Sequence, residues 1–509
     1  MIPGTIDSKK MNAGVVTQSR EMQMLRTRYF YLVPVAAMLA VGIFLGLASC
    51  GGGGGGGDSS AAAVAQFPVA ISGNPRYLVD RTGKPFPILG RTAWFITSLS
   101  AADYRMFIDD TVAKRYNAIE FHVINHDPRG NHPPTDGNGN PPFARQLGSA
   151  AAYTSTSQVP DFTMPNEAYW SGVDALLAYA ESKGVLCFMF PAYAGFGGGN
   201  QGWMQEMAAN GATNMQTYGA WIATRYKNQR NIVWMAGGDQ MIFSSTEQAA
   251  ENGLLAGLRS VANQQSMYLS AEWTRGSIAT DQTDFGAFMT LNGTYANSTD
   301  INNQGRRAYA LGTMPAFLLE EPYDQEGADG NNVNPDATQP VRRFQWWGVL
   351  SNIGGYISGN GYVWPFRSTG VSPPTTDNWK LHLNTPGAQD MAHLNAFVRS
   401  ISWYHLVPSG LGGMATLVTS GAGSLNGSDY VSAAATADGT LLVAYIPPAN
   451  SAASIAINMS ALGNVNRARW FDPTSGAFRS ASGLPGGTFS LPAANAAGDN
   501  DWVLVLDKQ

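Results

Sequence analysis

Residues 231–240 read NIVWMAGGDQ, a short apolar run that stops at two glycines and is followed at once by Asp239. The apolar run predicts a buried β-strand. Gly237 and Gly238 would let the backbone turn sharply and leave room for a substrate beside the carboxylate. An aspartate after a strand is often only the N-cap of the next helix, so this residue alone does not establish a catalytic site.

The same kind of run recurs eight times between residues 67 and 404, and helical patterns lie between the runs. Eight strands that alternate with helices predict a (β/α)8 TIM barrel, an α/β fold. A doubly wound sheet is the competing architecture, but no glycine-rich phosphate loop follows the first run. The runs are FPILGRT (86–92), NAIEFHVI (117–124), VLCFMFPAY (185–193), NIVWMAGG (231–238), SMYLSAEW (266–273), DFGAFMTL (284–291), AFLLEE (316–321) and GGYISG (354–359).

Three intervening segments carry clear helix boundaries. SAADYRMFIDDTVAKRY (100–116) opens with a serine cap, NEAYWSGVDALLAYAESKG (166–184) has an asparagine cap and a closing glycine, and VRRFQWWGVLSNIGG (341–355) ends in paired glycines. Beyond residue 404 the pattern changes to short alternating runs separated by Gly, Asn and Asp turns. Residues 405–509 are therefore predicted to form a small antiparallel β-sandwich, joined to the barrel by a helix over 387–406.

The first 66 residues resemble processing and tether segments rather than folded structure. The apolar stretch YFYLVPVAAMLAVGIFLGLASC (29–50) ends in Cys50 and resembles the lipobox of bacterial lipoproteins, in which that cysteine receives a lipid. Residues 51–66 begin with a glycine tract that reads as a flexible linker. We therefore expect a lipoprotein signal peptide over 1–50 and a lipid-anchored protein of the cell envelope. An uncleaved transmembrane anchor is the alternative.

Charge and composition narrow the partners of the protein. The net charge of the 509 residues is −5, with no long run of either sign, so a nucleic-acid partner is not expected. Aromatic residues make up 11% of the chain. Most of them must pack the core, but a surface that handles sugars also uses aromatic rings against C–H faces.

A second group of carboxylates follows the seventh predicted strand. The segment MPAFLLEEPYDQEG (314–327) ends in Glu320, Glu321, Asp324 and Glu326, at the same mouth of the barrel as Asp239. Hydrolysis of a glycosidic bond needs two carboxyl groups, one protonated and one ionised. A solvated calcium-binding loop is the competing interpretation, although Pro322 and Tyr323 interrupt any regular ligand spacing.

Taken together, these segments resemble the apiosidase-like bacterial glycoside hydrolases, a family once classed as a domain of unknown function. Its C-terminal appended domain is a collagen-binding-like β-sandwich. The resemblance covers nearly all of the chain after the linker. The matching stretches are GKPFPILGRTAW (83–94), PNEAYWSGVDALLAYAESKG (165–184), YGAWIATRYKNQRNIVWMAGGD (218–239), PAFLLEEPYDQEG (315–327), ARWFDPTSGAF (468–478) and DWVLVLD (501–507).

The resemblance implies a catalytic pair. The aspartate of the family's Gly-Gly-Asp motif falls on Asp239, which is implied to be the acid/base. The glutamate of its Glu-x-x-Tyr-Glu motif falls on Glu320, the implied nucleophile, and Tyr323 then lies three positions on. Asp324 stands where the motif ends in glutamate, which leaves that last acid in doubt. Glu321 is the rival nucleophile, because neighbouring strand residues face opposite sides.

Further residues at strand ends are predicted to contact the substrate, although each could equally be a packed wall residue. They are Trp94, His126, Tyr193, Trp273, Asn292, Tyr323 and Trp364. His122, His126 and His132 also suggest a metal, but they lack the compact spacing of a zinc site. No metal and no cofactor are expected. The loop 126–148, rich in Pro, Gly and Asn, is long enough to shape the rim of the pocket.

The sequence thus predicts a lipid-anchored glycoside hydrolase that cleaves a linkage in a glycan. The family resemblance implies that the substrate is a side chain of a plant or microbial polysaccharide, with pectin as the precedent. Cleavage with retention is expected from the pair of carboxylates. Two alternatives from other classes stay open. One is a surface glycan-binding lipoprotein with an inactive barrel, and the other is an adhesin for collagen or matrix.

Overall fold

The structure is a computed structural model that describes residues 66–241, 243–261, 268–320, 322–325, 338–366 and 378–509. These residues belong to one compact unit. Cys50, most of the linker, Glu321 and Glu326 lie outside the described residues. No helix within the described ranges combines the length and the hydropathy needed to cross a bilayer.

A small three-stranded antiparallel sheet precedes the barrel, in the order β1-β2-β3. The barrel sheet follows, in the order β8-β7-β6-β5-β4-β12-β11-β10-β9. The strands of these two sheets are β1 Pro68–Ile71, β2 Leu78–Asp80, β3 Pro85–Phe86, β4 Ile88–Thr92, β5 Ala118–His122, β6 Leu186–Phe190, β7 Ile232–Gly237, β8 Leu269–Glu272, β9 Ser277–Ile278, β10 Asn292–Tyr295, β11 Ala316–Glu320 and β12 Ile353–Ser358.

Eight strands of the larger sheet, β4 to β8 and β10 to β12, form the barrel, and each paired neighbour among them runs parallel. The seam between β8 and β10 is bridged by the backbone of Thr290, which donates to Leu269 O at 2.9 Å, and by Gly293 N, which donates to Ser270 Oγ at 3.0 Å. The predicted (β/α)8 barrel is confirmed. Because parallel strands end at the same rim, the side chains after β4, β5, β7, β8, β10 and β11 are brought together.

Seven α-helices surround this barrel within the described residues: α1 Ala101–Ala113, α2 Glu167–Ser182, α3 Met204–Arg225, α4 Ser245–Arg259, α5 Ile301–Leu311, α6 Thr338–Asn352 and α7 Pro386–Ser400. The caps predicted for α1 and α2 are present. The Ser100 side chain accepts a hydrogen bond from Asp103 N, and the Asn166 side chain accepts one from Ala168 N. Each satisfies a backbone N–H that the first helical turn leaves without a partner.

The sixth strand is not where the sequence placed it, so that part of the prediction is wrong. The apolar run 284–291 contains a 3-10 helix, Gly286–Phe288, and the strand is the polar NGTY segment that follows. Phe285 is buried against the Trp273 ring at 5.3 Å, so the run is apolar because it packs, not because it is a strand. Gly293 fits because a Cβ there would lie 2.9 Å from Ser270 Oγ.

The C-terminal part is the predicted antiparallel β-sandwich. Its strands are β13 Leu406–Pro408, β14 Val418–Ser420, β15 Ser432–Thr436, β16 Leu441–Ile446, β17 Ser454–Ile457, β18 Arg467–Phe471, β19 Phe478–Ser480, β20 Thr488–Ser490 and β21 Trp502–Asp507. They form a six-stranded sheet, β13-β15-β16-β21-β18-β19, and a three-stranded sheet, β14-β17-β20.

The larger sheet of the sandwich shares a hydrophobic core with α6 and α7 of the barrel. The rings of Trp346 and Tyr445 stack with centroids 5.9 Å apart and an interplanar angle of 3°, and Phe397 meets Phe471 at 4.8 Å. Burying these aromatic rings between the two parts gives a large apolar contribution to their association. The sandwich is thus packed onto the barrel rather than tethered to it.

Candidate active site

A cleft opens where the barrel strands end, and the space between its walls, including solvent at the mouth, is about 600 Å³. It is lined by aromatic rings, carboxylates and two arginines: Trp94, Phe95, His122, Asp127, Arg129, Tyr193, Asp239, Arg275, Tyr295, Glu320, Tyr323 and Trp364. Asp239 and Glu320, about eighty positions apart in the sequence, therefore face the same cavity. Six of its twelve lining residues are aromatic and six are charged or histidine, and the surface that they expose to the cleft is mainly polar. Convergent polar groups among aromatic rings suit a ligand that is itself polar, such as a sugar.

Asp239 stands on a tight turn directly after β7. Its own φ is +57°, a left-handed conformation that aspartate tolerates better than most residues. The two glycines before it are required by packing: a Cβ on Gly237 would lie 2.6 Å from the Trp273 ring, and a Cβ on Gly238 would lie 2.4 Å from the Tyr193 ring. The room that the glycines leave is thus filled by these two rings, not by a substrate as the sequence suggested.

The acidity of Asp239 is shifted by its surroundings. Burial raises the pKa of Asp239 to about 6, although the positive charge of Arg275, a hydrogen bond from Tyr295 and the charge of Arg129 each act to lower it. Removal from water disfavours the ionised form, and here that effect exceeds the attraction of the two cations. A carboxyl group with this pKa can hold a proton in mildly acidic solution.

Glu320 is the last residue of β11 and is 7% exposed. Its backbone lies in register with Tyr295, the last residue of β10 and the residue that hydrogen-bonds Asp239. The ends of β7, β10 and β11 therefore meet around one small volume of the cleft. Glu321, the rival nucleophile, lies outside the described residues.

Aromatic rings form one wall of the cleft. Trp94 Nε1 donates to the Tyr323 hydroxyl at 2.6 Å, and the Trp94 ring lies 5.8 Å from the ring of Tyr193. The His122 ring stacks on Tyr193, with centroids 3.9 Å apart. Tyr193 is fixed in turn by donating its hydroxyl hydrogen to Glu272 Oε1 at 3.0 Å. These contacts hold the wall rigid before any ligand enters.

His122 is buried, and its Nε2 has no hydrogen-bond partner among the described residues. Burial, followed by the charge of Arg129, holds the pKa of His122 well below its usual value. The imidazole is therefore neutral at neutral pH. A neutral imidazole nitrogen facing a cleft can exchange a hydrogen bond with a hydroxyl group.

Another part of the rim comes from Asp127 and Arg129 in the loop after β5, within the segment 126–148 that was predicted to shape the rim. Arg129 forms a bidentate ion pair with Asp127, whose Oδ2 accepts from Nη2 at 2.6 Å. The guanidinium carbon lies 4.9 Å from the centre of the Trp364 ring, a cation–π contact. Trp364 is thus clamped at the mouth by a charged loop.

Beneath the cleft lies a carboxyl group that sequence inspection did not single out. Glu120, in the middle of β5, is fully buried, and neither of its carboxyl oxygens has a hydrogen-bond partner among the described residues. Burial, followed by the charge of Glu320, raises the pKa of Glu120 well above its usual value. Glu120 is therefore a neutral acid close to the Glu320 carboxylate.

Four of the seven predicted substrate contacts, Trp94, Tyr193, Tyr323 and Trp364, line the cleft, and three do not. His126 is buried with its Nε2 3.2 Å from Glu206 Oε1, edge-on to Trp203. Its position after β5 is as predicted, but its side chain ties the loop to α3. His126 therefore supports the rim instead of lining it.

Trp273 and Asn292 are likewise packed away from the cleft. Trp273 is fully buried, stacks on Phe285 and donates from Nε1 to Ala279 O at 2.8 Å. Asn292 was placed after a strand, but it begins β10, at the opposite end of the barrel from the cleft, and is fully buried. The misplaced sixth strand is the cause of this error.

Asp324, which occupies the last acidic position of the family motif, does not line the cleft. Its Oδ2 accepts hydrogen bonds from Asn360 Nδ2 at 3.0 Å and from Thr385 Oγ1 at 2.5 Å. Burial raises the pKa of Asp324 to about 6. This side chain ties the loop after β11 to the cap of α7, so its role in the structure is architectural.

Six cleft residues were not predicted as substrate contacts: Phe95, His122, Asp127, Arg129, Arg275 and Tyr295. His122 and Tyr295 end strands, so a correct strand assignment would have found them. Arg129 lies in the loop that was predicted to form the rim. Within the ranges that the structure describes, no cluster of three or more His, Cys, Asp or Glu side chains is arranged to hold a metal ion.

Comparisons with known proteins agree with this architecture. A solved structure described as a glycoside hydrolase matches with a TM-score of 0.66 and 19% identity, covering 86% of this chain and 96% of the other. A family 5 glycoside hydrolase from Bacteroides vulgatus ATCC 8482 matches with a TM-score of 0.66 and 18% identity, covering 86% and 93%. At these identities the likeness shows the fold alone. No curated protein was found to match the sequence.

Two family profiles match the sequence. The profile described as "Putative collagen-binding domain of a collagenase" matches residues 417–507, which form most of the sandwich. The profile described as "Apiosidase-like, catalytic domain" matches residues 72–405, well over half of the chain and all of the barrel. The chain therefore belongs to the apiosidase-like family and is a glycoside hydrolase.

Proposed function

We propose that this protein hydrolyses a glycosidic bond with retention of configuration, using Asp239 as acid/base and Glu320 as nucleophile. In the first step Glu320 attacks the anomeric carbon while Asp239 gives its proton to the leaving oxygen, and a glycosyl ester forms. In the second step Asp239 takes a proton from water, which attacks the same carbon and releases Glu320. Each step balances without a metal or a cofactor.

The observation that carries this proposal is that two carboxyl groups face one cleft and that one of them, Asp239, has a raised pKa. Burial raises the pKa of Asp239 to about 6, so the acid is available as a proton donor. Glu320 faces the same cavity from β11, seven per cent exposed. Hydrolysis of a glycosidic bond uses two carboxyl groups in one site, one as the acid and the other as the nucleophile.

The walls of the cleft support a carbohydrate as substrate. Trp94, Tyr193 and Trp364 offer apolar faces for the C–H face of a sugar ring, and neutral His122 offers a hydrogen bond for a hydroxyl group. We propose side chains of plant or microbial polysaccharides, the pectic ones first, because the family to which the chain belongs is described as apiosidase-like.

Two substitutions test the assignment. Asp239→Asn and Glu320→Gln should each lower kcat by about 10³-fold or more on whichever glycan the wild type hydrolyses in a panel of pectic and arabinose-rich polysaccharides. Glu167→Gln, which changes an exposed carboxylate on α2, is the matched control and should keep wild-type turnover. Wild-type rates in both cleft variants would refute the assignment.

Retention has its own measurement. Proton NMR of the first product formed should show the anomer of the substrate, and azide should restore turnover to Glu320→Ala by replacing the missing nucleophile. An inverted first product would exclude Glu320 as nucleophile. Glycan binding without turnover on any substrate would instead favour the alternative function, a glycan-binding lipoprotein whose barrel is inactive.

We further propose that Cys50 carries a lipid that holds the enzyme at a bacterial cell envelope. The proposal is based on the apolar stretch 29–50, the Leu47-Ala48-Ser49-Cys50 ending and the glycine tract that follows. Expression in a bacterial host with a labelled fatty acid should label the protein and place it in the membrane fraction. Cys50→Ser should abolish the label, and persistent labelling would contradict the proposal.

A further inference from the structure

The loop after β6 exposes an aromatic side chain beside the active site. Phe196 is 65% exposed, and no aromatic ring or cation among the described residues contacts its ring. Leaving a phenyl ring in water forfeits the free energy that its burial would give. Single exposed apolar side chains are common on protein surfaces, so the exposure of Phe196 becomes informative only through its position in the loop.

Backbone hydrogen bonds fix where this loop lies. Ala194 N donates to Gly237 O at 2.8 Å, Gly195 N to Gly238 O at 2.9 Å and Gly197 N to Asp239 O at 3.1 Å. The pairing of β6 with β7 is thereby prolonged beyond the strands as far as Asp239 itself. Phe196 consequently stands one residue away from a direct backbone contact with Asp239.

The turn that presents Phe196 is closely packed. Gly195 has a φ of +95°, and a Cβ there would lie 2.4 Å from Gly202 N. Gly198 has a φ of +70°, and its amide donates to Gly195 O at 2.7 Å. Because only glycine fits these positions without strain, the sequence GFGGG (195–199) presents one side chain, that of Phe196, on a tight backbone turn.

We propose that Phe196 is the stacking platform for the sugar unit on the leaving-group side of the scissile bond. This inference rests on the proposed role of Asp239: a general acid lies next to the oxygen that it protonates, so the departing sugar lies on the Asp239 side of the cleft. Phe196 does not line the cleft itself, but its loop pairs with the turn that carries Asp239, so a leaving sugar that extends past Asp239 would meet its ring. The apolar C–H face of an uncharged sugar would cover the ring without needing a charged partner.

The test compares two substrates that share the sugar transferred to Glu320. One is the oligosaccharide that the wild type cleaves, and the other is the glycosyl fluoride of the same sugar, which has no sugar on the leaving side and needs no proton. Phe196→Ala should lower kcat/KM on the oligosaccharide about tenfold and change it less than twofold on the fluoride. Phe196→Trp should restore the oligosaccharide rate, because it restores an aromatic face.

The matched control is Leu311→Ala. Leu311 is 50% exposed, but it ends α5, at the opposite end of the barrel from the cleft, and should leave both rates unchanged. Calorimetric titration of the oligosaccharide into Glu320→Gln with and without Phe196→Ala adds a readout of binding alone. The double variant should bind about tenfold more weakly.

The outcomes separate this inference from the proposed function. If Asp239→Asn and Glu320→Gln lose turnover while Phe196→Ala affects both substrates equally, or neither, the platform is refuted and the catalytic pair stands. If the catalytic variants keep their activity, the proposed function fails, and with it the leaving-group side that the platform requires.

Discussion

At the scale of single residues, Asp239 acquires its chemistry from its surroundings. Two arginines and a tyrosine hydroxyl act to lower its pKa, yet burial raises it to about 6. A carboxyl group in water would be ionised at that pH. The same side chain at an exposed strand end could not serve as a proton donor near neutrality.

The first prediction concerns the pH dependence of kcat/KM. Asp239 must be protonated in the free enzyme to act as an acid, so kcat/KM should fall about tenfold per pH unit above a midpoint near pH 6. Hydrolysis of the glycosyl fluoride needs no acid and should lack this alkaline limb. An alkaline limb of equal midpoint on the fluoride would assign it to another group.

Glu120 leads to a second prediction, on stability. Its folded pKa is raised above the unfolded value, so the folded state keeps a proton that the unfolded chain releases as pH rises through the unfolded pKa. This contribution to the free energy of unfolding is fully present below the unfolded pKa and is lost as the pH rises to the folded pKa. The loss is about 1.4 kcal/mol for each pH unit that separates the two pKa values. The variant Glu120→Gln cannot ionise at this position. The melting temperature of the variant minus that of the wild type should therefore increase from pH 5 to pH 8.

Glu120→Ala provides the control for this measurement. It leaves a cavity and should be less stable than the glutamine variant at every pH. Its difference from the wild type should nevertheless change with pH in the same direction, since both variants remove the same titration. A pH-independent difference for both would show that Glu120 does not hold a proton.

At the scale of elements, the close packing of the turn after β7 determines where Asp239 lies in the cleft. Gly238 has a φ of +120°, and any Cβ would overlap the Tyr193 ring at 2.4 Å. Gly238→Ala should displace either Tyr193 or the Asp239 backbone and lower kcat by about 10²-fold, because a misplacement of 1 Å can cost that much. The backbone strain should also lower the free energy of unfolding by roughly 1–3 kcal/mol.

Gly286→Ala is the matched control for the turn. A Cβ at Gly286 meets no atom within 4 Å, and no left-handed backbone conformation is required there. Kinetic constants and urea unfolding of the two variants should therefore differ clearly. Equal behaviour would show that the turn can relax and that its glycines are dispensable.

At the scale of the whole molecule, a buried ion network joins the sandwich to the barrel. Arg342 on α6 is 1% exposed. It donates from Nη1 to Asp390 Oδ2 on α7 at 2.5 Å and from Nε to Asp501 Oδ2 before β21 at 2.6 Å. The Tyr445 hydroxyl donates to the same Asp501 oxygen at 2.8 Å. Such a network is costly to break, because removing one partner leaves buried charge behind.

Arg342→Ala should therefore lower the free energy of unfolding by about 3–5 kcal/mol. Arg225→Ala is the control: the side chains of its partners Glu167 and Asp174 are 72% and 45% exposed, so its loss should cost no more than about 1 kcal/mol. Calorimetry of the wild type should give one transition, because barrel and sandwich share a core. Two separate transitions would contradict the shared core.

The sequence by itself determined the local architecture. Apolar runs and capping residues were enough to predict seven of the eight barrel strands, the caps of α1 and α2 and the antiparallel sandwich, because each depends on residues close together in the chain. The family resemblance implied Asp239 and Glu320 as the catalytic pair, which stays a prediction, and the rule that parallel strands end at one rim explains why both face the cleft.

Only the tertiary structure decided how each side chain is used. In the structure, Trp273 and His126 pack against neighbouring side chains and do not line the cleft. The sixth strand is the polar segment Asn292–Tyr295, and neutral Glu120 lies beneath the cleft. The physical reason is that burial, pKa and the direction of a side chain depend on neighbours tens or hundreds of positions away. The periodicity of apolar residues along the chain does not show which residues those neighbours are.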